Sequence, residues 1–485
     1  MSPADLGLAA QVVVAATIMV LLLADAFVPD GRKALLAPIA GAGVLLALGA
    51  AVAAAGSGLS EPDKARVLFH GTLAVDAFAI FFDIVFLALA LLVLMLAPAY
   101  LERRGVQRGE FYILLVAALA GMMLMVSAAS LLTIFIGIEL LSIALYILSA
   151  FLRQEERSQE AGLKYLLIGG FASGFLLYGM ALVYGGTGST SLPVIGAVLR
   201  TGSGDHLIFS LVGIGLVMVG LAFKASAAPF HTWTPDVYEG APAPVVAFMA
   251  VGTKVAAVAV FLRLFVVTFG SPATFSRWSI LLGAVAAVSM LLGAVGALRQ
   301  QDLKRMLAFS AIAQAGYLLL GVVAGNRAGM VGSLYYLAAY GTMTFGAFGV
   351  VTLLARSDRE ASEISGLRGL GYRHPGLGAL MALFMLALAG VPPTAGFMGK
   401  LFVFVAVVKA GYGGLAMVAV VSSAISLYYY LRVVITVYTP AEKPRRAHPP
   451  DRLGTAAVLA AGALSLGLGI FPGILYDLAQ RSSLL

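Results

Sequence analysis

Long apolar runs separated by short polar connections recur along the whole chain. Fourteen of these runs are long enough for a helix that crosses a hydrocarbon core of about 30 Å. They cover residues 5–27, 34–56, 71–97, 111–127, 130–152, 164–185, 207–228, 240–266, 278–298, 304–325, 329–355, 376–408, 412–438 and 455–478. The pattern predicts an all-α integral membrane protein with 14 transmembrane helices, of which helices 7 and 12 are interrupted by Pro and Gly.

Composition excludes several other classes of protein. The chain has 485 residues, of which 61% are hydrophobic and 11% are charged, so a soluble domain is excluded. It has no Cys, and its five His show no helical metal-ligand spacing. We therefore expect no disulfide, no thiolate-held iron–sulfur cluster and no cofactor in this chain. The net charge of +8 lies in short connections between apolar runs, which argues against nucleic acid as a partner and for the lipid bilayer.

The distribution of Lys and Arg predicts the orientation. Odd-numbered connections carry 18 of these residues and even-numbered connections carry six. The positive-inside rule then places the odd connections in the cytoplasm. We expect a multi-pass protein of the bacterial inner (plasma) membrane whose two termini lie on the external, periplasmic side. The first apolar run lacks a basic segment before it and a convincing cleavage site, so it is predicted to be a span and not a removed signal peptide.

Weak internal similarities recur at nearly one offset. YIL at 146–148 matches YLL at 317–319, GLKYL at 162–166 matches SLYYL at 333–337, and FLRLF at 261–265 matches YLRVV at 430–434. A five-helix repeat is odd-numbered, so its second copy must enter the membrane from the other side, as in many transporters. We predict three N-terminal spans (1–110), a first repeat (111–266), an inverted second repeat (278–438) and a C-terminal span (439–485).

Buried lysines are the chemical feature of the chain. Lys224 precedes the break in the seventh span, Lys254 lies in the middle of the eighth, and Lys400 follows the break in the twelfth. A charge at bilayer depth is costly and is by default a candidate functional site. Desolvated lysine, unlike arginine, gives up its proton readily. These lysines could therefore load and unload protons during translocation.

Three further side chains complete the candidate site. Glu139 is the single acid of its apolar run, and pairing with Lys224 would lower the cost of burying both. Lys164 begins a span and could instead snorkel to the surface. His231 lies in the break of the seventh span, where the alternative is an ordinary core histidine.

Two segments carry a resemblance to a known family. FKASAAPFHTWTPDVYEGAPAPVVAF at 223–248 resembles a signature of the antiporter-like membrane subunits of respiratory complex I. DLKRMLAFSAIAQAGYLLLG at 302–321 is similar to the matching segment of their second repeat. The resemblance extends over nearly the whole chain. One departure is Gln314, which stands where many relatives have a histidine.

The resemblance implies a proton-translocating subunit of NADH:quinone oxidoreductase that has no redox centre of its own. NADH, FMN, iron–sulfur clusters and quinone are expected in other subunits of the complex. Sister antiporter-like subunits and small membrane subunits are the expected partners. Glu139 and Lys224 would form a switching pair, Lys254 the central relay and Lys400 the group that leads to the exit. Two alternatives are a subunit of a multi-subunit cation/proton antiporter and a structural subunit that only braces the membrane arm.

Overall fold

The chain folds almost entirely into helices. The structure is a computed structural model that describes residues 3–57, 66–201, 206–356, 360, 362–441 and 451–485. Five basic residues counted above in the connections, Lys64, Arg359, Lys443, Arg445 and Arg446, lie outside the described residues. Thirteen helices of the described part are long and apolar enough to cross a membrane.

Three helices precede the predicted repeats. They are α1 (Pro3–Phe27), α2 (Leu36–Gly56) and α3 (Ala77–Arg103), with a 3₁₀ turn at Asp30–Leu35. Two antiparallel strands, β1 (Arg66–Leu68) and β2 (Leu73–Val75), form a hairpin before α3. The predicted third span, 71–97, was wrong at its start, because the apolar residues that precede Asp76 belong to this hairpin. We call this side of the bundle the hairpin end and the other side the opposite end.

The next segment contains the first interrupted helix. Its helices are α4 (Gly109–Val126), α5 (Leu131–Ser149), α6 (Glu156–Thr187), α7 (Leu192–Thr201), α8 (His206–Lys224), α9 (Trp233–Gly240) and α10 (Ala243–Phe261). A π-helix, Leu262–Thr268, continues α10. The predicted start of the sixth span at 164 was eight residues late, because the polar first turns of α6 carry no hydropathy signal. All of α10 is buried inside the chain.

The last segment contains the second interruption. Its helices are α11 (Pro272–Leu298), α12 (Leu303–Ala324), α13 (Arg327–Leu354), α14 (Leu370–Arg373), α15 (Pro375–Ala389), α16 (Ala395–Lys409), α17 (Gly413–Tyr438), α18 (Arg452–Ile470) and α19 (Pro472–Arg481). The run at 376–408 is thus two helices of 15 residues each. The predicted last span also divides, since α18 ends before Pro472.

Candidate functional site

Lys224 is the last residue of α8 and is buried at the first interruption. Its ammonium lies 3.5 Å from the hydroxyl of Tyr146, a distance at the limit of a hydrogen bond. Aromatic rings of Tyr146, Tyr165 and Phe223 surround it, with centroids 5.3 to 5.5 Å from Nζ. Ring faces attract a cation, so the site holds the charge without a carboxylate in contact with it.

Lys254 lies in the middle of α10 and is fully buried. Its ammonium donates to Ser226 Oγ and to the hydroxyl of Tyr238, both at 3.1 Å. Ser226 lies in the break after α8 and has a positive φ of 61°, a strained conformation for a residue with a side chain. The break after α8 therefore also stabilises Lys254, because it directs the Ser226 hydroxyl toward the ammonium.

Lys400 lies at the second interruption, where α15 ends and α16 begins. Its ammonium donates to the backbone carbonyls of Leu388 and Ala389, at 3.1 and 2.8 Å, and to Ser423 Oγ at 3.0 Å. The last carbonyls of a helix have no helical partner and carry partial negative charge. The end of α15 thus supplies the counter-dipole for a buried cation.

Neutral polar groups lie between α12 and Lys400. Gln314 donates to the Leu388 carbonyl at 3.1 Å, the same carbonyl that accepts from Lys400. The amide oxygen of Gln314 accepts from Tyr336, and the hydroxyl of Tyr430 is bonded to Ser310. Gln314 therefore takes part in the polar network through its amide, although it cannot exchange a proton as a histidine would.

Glu139 lies on α5 at the side of the bundle and is only half-buried within the chain. The expectation of a buried acid was therefore wrong for the isolated chain. Its carboxylate accepts a hydrogen bond from Ser173 Oγ at 2.5 Å. The charge of Glu139 acts on Lys224, but the ammonium contacts Tyr146 instead of the carboxylate.

Lys164 belongs to a cluster of charges at the opposite end, and its side chain is 38% exposed. It pairs with Glu160 and with Asp236, each at 2.6 Å. Arg305 contacts both Asp236 at 2.7 Å and Glu239 at 2.9 Å. We call Lys164, Glu160, Asp236, Glu239 and Arg305 the Asp236 cluster. It joins α6, α9 and α12.

Asp236 is ionised more easily than an ordinary aspartate. Burial opposes its charge, but hydrogen bonds from Lys164 and Arg305 outweigh burial, and the pKa of Asp236 lies below its usual value. This carboxylate therefore stays charged at neutral pH and cannot serve there as a proton donor.

A second carboxylate at this end comes from the connection after α13. Glu360 accepts a hydrogen bond from Tyr100 and another, at 2.8 Å, from the backbone N–H of Ala243. Lys304 pairs with it at 2.5 Å and also donates to the Ala241 carbonyl at 2.7 Å. Burial opposes ionisation, but Lys304 overcomes it, so the pKa of Glu360 lies below the usual value.

His231 lies in the break between α8 and α9, as the sequence predicted. It is half-buried, and its Nδ1 has no hydrogen-bond partner in the described part of the chain. No group of three or more His, Cys, Asp or Glu in the described residues is arranged to hold a metal ion.

The structure thus brings together part of the predicted set. Lys224 ends the helix before the first break, Ser226 of that break accepts from Lys254, and Lys400 lies at the second break. Asp236, Arg305 and Glu360 were missed, because charges in connections are ordinarily solvated and carry no signal of their own. Asp236 lies in the WTPDVYEG segment, which indicated the family but not a role for this carboxylate.

Comparisons with known proteins show the family of the chain. The profile of the NADH:quinone oxidoreductase/Mrp antiporter transmembrane family matches residues 128–426. A protein of Trichlorobacter lovleyi named NADH-quinone oxidoreductase subunit N is 42% identical over 473 residues, 97% of this chain and 95% of that protein. The chain belongs to this family of antiporter-like membrane subunits.

Two solved structures contain chains with a similar fold. A chain of respiratory complex I from Thermus thermophilus is similar with a TM-score of 0.81 and 36% identity, covering 97% of this chain and 99% of that one. A chain of the Mrp complex from Dietzia sp. has a TM-score of 0.86 at 23% identity, covering 98% and 97%. The second likeness shows a shared fold and no more.

Proposed function

We propose that this chain is an antiporter-like subunit N of NADH:quinone oxidoreductase and translocates protons through Glu139, Lys224, Lys254 and Lys400, with Lys164 and His231 in supporting roles. The observation that carries the proposal is Lys254, which is fully buried and held only by hydroxyl groups. A permanent charge there is costly. A lysine that exchanges its proton with the hydroxyl-lined surroundings avoids that cost for part of each cycle.

The breaks support a path through these groups. Interrupted helices expose backbone groups that need polar partners, and in transporters they line the midplane site. Lys224 and Lys400 lie at the two breaks, and Ser226 of the first break also reaches Lys254. Electron transfer from NADH to quinone takes place in other subunits under this proposal, with FMN and iron–sulfur clusters there. This chain contributes no redox centre.

We further infer fourteen spans in two inverted repeats. The short helices α15 and α16 together would form the span that raises the thirteen long helices to fourteen. A Cβ on Gly121 would meet Leu141 N and Gly137 O, and one on Gly293 would meet Ala313 N and Phe309 O. Each of these three positions in α4 and α5 is related to its counterpart in α11 and α12 by 172 residues. The two helix pairs therefore pack at equivalent positions.

The direction of these helices supports inversion. The end of α4 lies at the hairpin end, since Ser127 O accepts from Ala74 N of β2. The segment before α11 lies at that same end, where Arg263 pairs with Asp76 at 2.9 Å. Thus α4 ends where α11 begins, as an inverted repeat requires. The buried lysines also have equivalent neighbours in the two repeats. Lys224 faces the ring of Tyr146 in the first, and Lys400 faces the ring of Tyr317 in the second.

Partners are inferred from the surface of α5. Glu139 is half-buried there, and exposed apolar side chains flank it along the helix, namely Leu132, Ile136, Leu140, Ile143 and Ile147. A carboxylate that faces lipid is costly. We infer that a neighbouring membrane-arm subunit covers this face. The complex would lie in the bacterial inner membrane, with the hairpin end and both termini of this chain on the external side.

The test is substitution of Lys254 in the assembled complex. Lys254→Ala removes the proton carrier, and Lys254→Arg keeps a charge that does not release its proton. Both are expected to slow coupled proton translocation by about 100-fold or more, the usual contribution of a positioned proton-transfer group. The measurement is proton uptake by vesicles during NADH oxidation. Electron input from NADH to an artificial acceptor and assembly of the complex are expected to stay intact.

A wild-type rate of proton uptake in Lys254→Ala would contradict the relay and favour the bracing role. The cation/proton antiporter is the remaining alternative, because the family whose profile matches residues 128–426 also includes Mrp antiporters. Sodium uptake by vesicles that contain the purified complex, driven by a proton gradient without NADH, would support that alternative.

A further inference from the structure

Asp83 is a buried carboxyl group that the proposed lysine path does not use. It lies in α3, six residues after the helix begins, which is about 9 Å along the axis from the hairpin end. Only 2% of the residue is exposed. An acid at such a position needs a hydrogen-bonded counter-charge, a proton or a bound cation.

The neighbours of Asp83 are neutral. The amide of Gln11 on α1 lies beside its carboxyl group and donates to Ser127 Oγ at 2.6 Å. One carboxyl oxygen, Oδ1, has no hydrogen-bond partner among the described residues. Gln11 is a weak partner for a full negative charge, because its amide is shared with Ser127. The site is therefore built around a carboxyl group with one free oxygen.

Helices α2, α3 and α4 place no positive charge next to Asp83. On α3 itself the nearest acid is Asp76, which is engaged by both terminal nitrogens of Arg263 at 2.9 Å. Helix α2 has no titratable residue, and those of α4, Glu110 and Tyr112, lie at the opposite end. Within the described part of the chain no basic side chain forms an ion pair with Asp83.

The acids of α1 and the lysine of α10 do not change this charge balance. Asp5 of α1 is an acid and supplies no positive charge, while Asp25 pairs with Lys33. Lys254 of α10 is turned toward Ser226 and Tyr238. A proton thus neutralises Asp83 most simply. A metal ion would require several oxygen ligands, and no group of three or more His, Cys, Asp or Glu in the described residues could hold one.

We propose that Asp83 is a proton-binding site outside the lysine series, which takes one proton on its carboxylate and returns it to the aqueous phase at the hairpin end. Gly252 on α10 packs at the level of Met122 and Leu89, so Lys254 lies near that level and Asp83 lies closer to the hairpin end. Ser127, the partner of Gln11, also bonds to Ala74 of the hairpin. This position favours release of the Asp83 proton at the hairpin end. The direction of release rests on the proposed proton translocation.

The test uses the whole complex in membranes and infrared difference spectroscopy between low and high pH. Asp83→Asn keeps the size of the side chain but binds no proton. We expect it to lose one carboxylic C=O band that the wild type and the matched control Asp76→Asn retain. We also expect a lower ratio of protons to NADH, with unchanged electron input. Asp83→Glu is expected to displace the band, and it carries the test if the Asn variant does not assemble.

Spectra of Asp83→Asn and Asp83→Glu that match the wild type would overturn the proposal. A band that shifts when sodium replaces potassium in the medium would also overturn it, because Asp83 would then bind a cation. The outcome is separate from that of the lysine path. If Lys254→Ala pumps normally while Asp83→Asn loses the band, the proton site stands and the relay through Lys254 fails.

Discussion

Glu139 and Lys224 are the two side chains whose relation is most open to a direct test. They are not in contact, since Ser173 holds the carboxylate and Tyr146 faces the ammonium. The charge of Glu139 nevertheless acts on Lys224. A switching pair separated in this way would close only in one state of the cycle. Under the proposed function, the observed geometry would be the open state of that pair.

We expect the losses from Glu139→Gln and Lys224→Ala to be less than additive. Each removes half of the same interaction, so the second substitution should add little to the first. The measurement is the rate of coupled proton translocation in a double-mutant cycle. Glu139→Asp, which keeps the charge, is the matched control and should retain more activity than the Gln variant. Fully additive losses would mean that the two groups work independently.

Gln314 offers a second test at the level of one side chain. A histidine at this position could exchange protons, whereas the amide of Gln314 can only form hydrogen bonds, to Tyr336, Tyr430 and the Leu388 carbonyl. We expect Gln314→His to keep proton translocation, and Gln314→Leu to slow it, because Lys400 would lose an orienting neighbour. The readout is the ratio of protons to NADH in vesicles. Equal pumping by the Leu variant and the wild type would show that this amide is dispensable.

At the scale of the elements, the first turn of α10 is capped by a residue far away in sequence, Glu360. Pro242 precedes α10 without a side-chain cap, and Glu360 accepts from the Ala243 N–H instead. Lys304 neutralises this carboxylate. Removing one partner of a buried ion pair costs about 3–5 kcal/mol, so Glu360→Gln and Lys304→Met should each destabilise the assembled complex, and the double variant should lose less than the sum.

The stabilising effect of Glu360 should depend on pH. Its pKa is lower in the folded chain than the ordinary value of 4.5, so its contribution is complete above about pH 5 and is lost as the pH falls through the lowered pKa. The melting temperatures of the wild type and Glu360→Gln should therefore differ at pH 7 and converge on acidification. A difference that persists unchanged at the lowest pH would contradict a role for the charge.

Features that interrupt an apolar run could be predicted from the sequence, whereas features that depend on contacts between distant segments could not. Lys254 and Lys400 were evident because a charge inside an apolar run is costly wherever the chain folds. The break at 390–394 was evident from its Gly and Pro residues. The hairpin at 66–75 was not, since its apolar residues extend the hydropathy of α3. Glu360 could not be predicted either, because nothing local marks a loop acid that is buried by a partner about 56 residues away.

Close helix packing gives an element-scale test of the two repeats. A Cβ on Gly121 would lie 2.6 Å from Leu141 N, and one on Gly293 would lie 2.4 Å from Ala313 N. Because backbone atoms cannot move aside, Gly121→Ala and Gly293→Ala should each destabilise by about 1–3 kcal/mol. Gly170→Ala in α6 meets nothing within 4 Å and should be neutral or slightly stabilising. Melting temperatures of the complex provide the measurement.

At the scale of the whole molecule, the two ends of the bundle differ in chemistry. The opposite end carries the Asp236 cluster and the buried pair of Glu360 with Lys304, whereas the hairpin end carries the pair of Arg263 with Asp76. The described basic residues also concentrate at the opposite end, which agrees with the bias read from the whole sequence. Protons would then be taken up past the ion-pair clusters and released near the hairpin.

The orientation can be tested with two cysteines, because the chain has none of its own. Gln154 lies exposed in the connection between α5 and α6, and Thr201 is exposed at the end of α7. The positive-inside rule predicts that Gln154→Cys reacts with a membrane-impermeant thiol reagent only in inside-out vesicles, and Thr201→Cys only in intact spheroplasts. The two positions control for each other, since each must be labelled in one preparation and protected in the other. The reverse result would invert the protein in the membrane and place the uptake of protons at the hairpin end, together with Asp83.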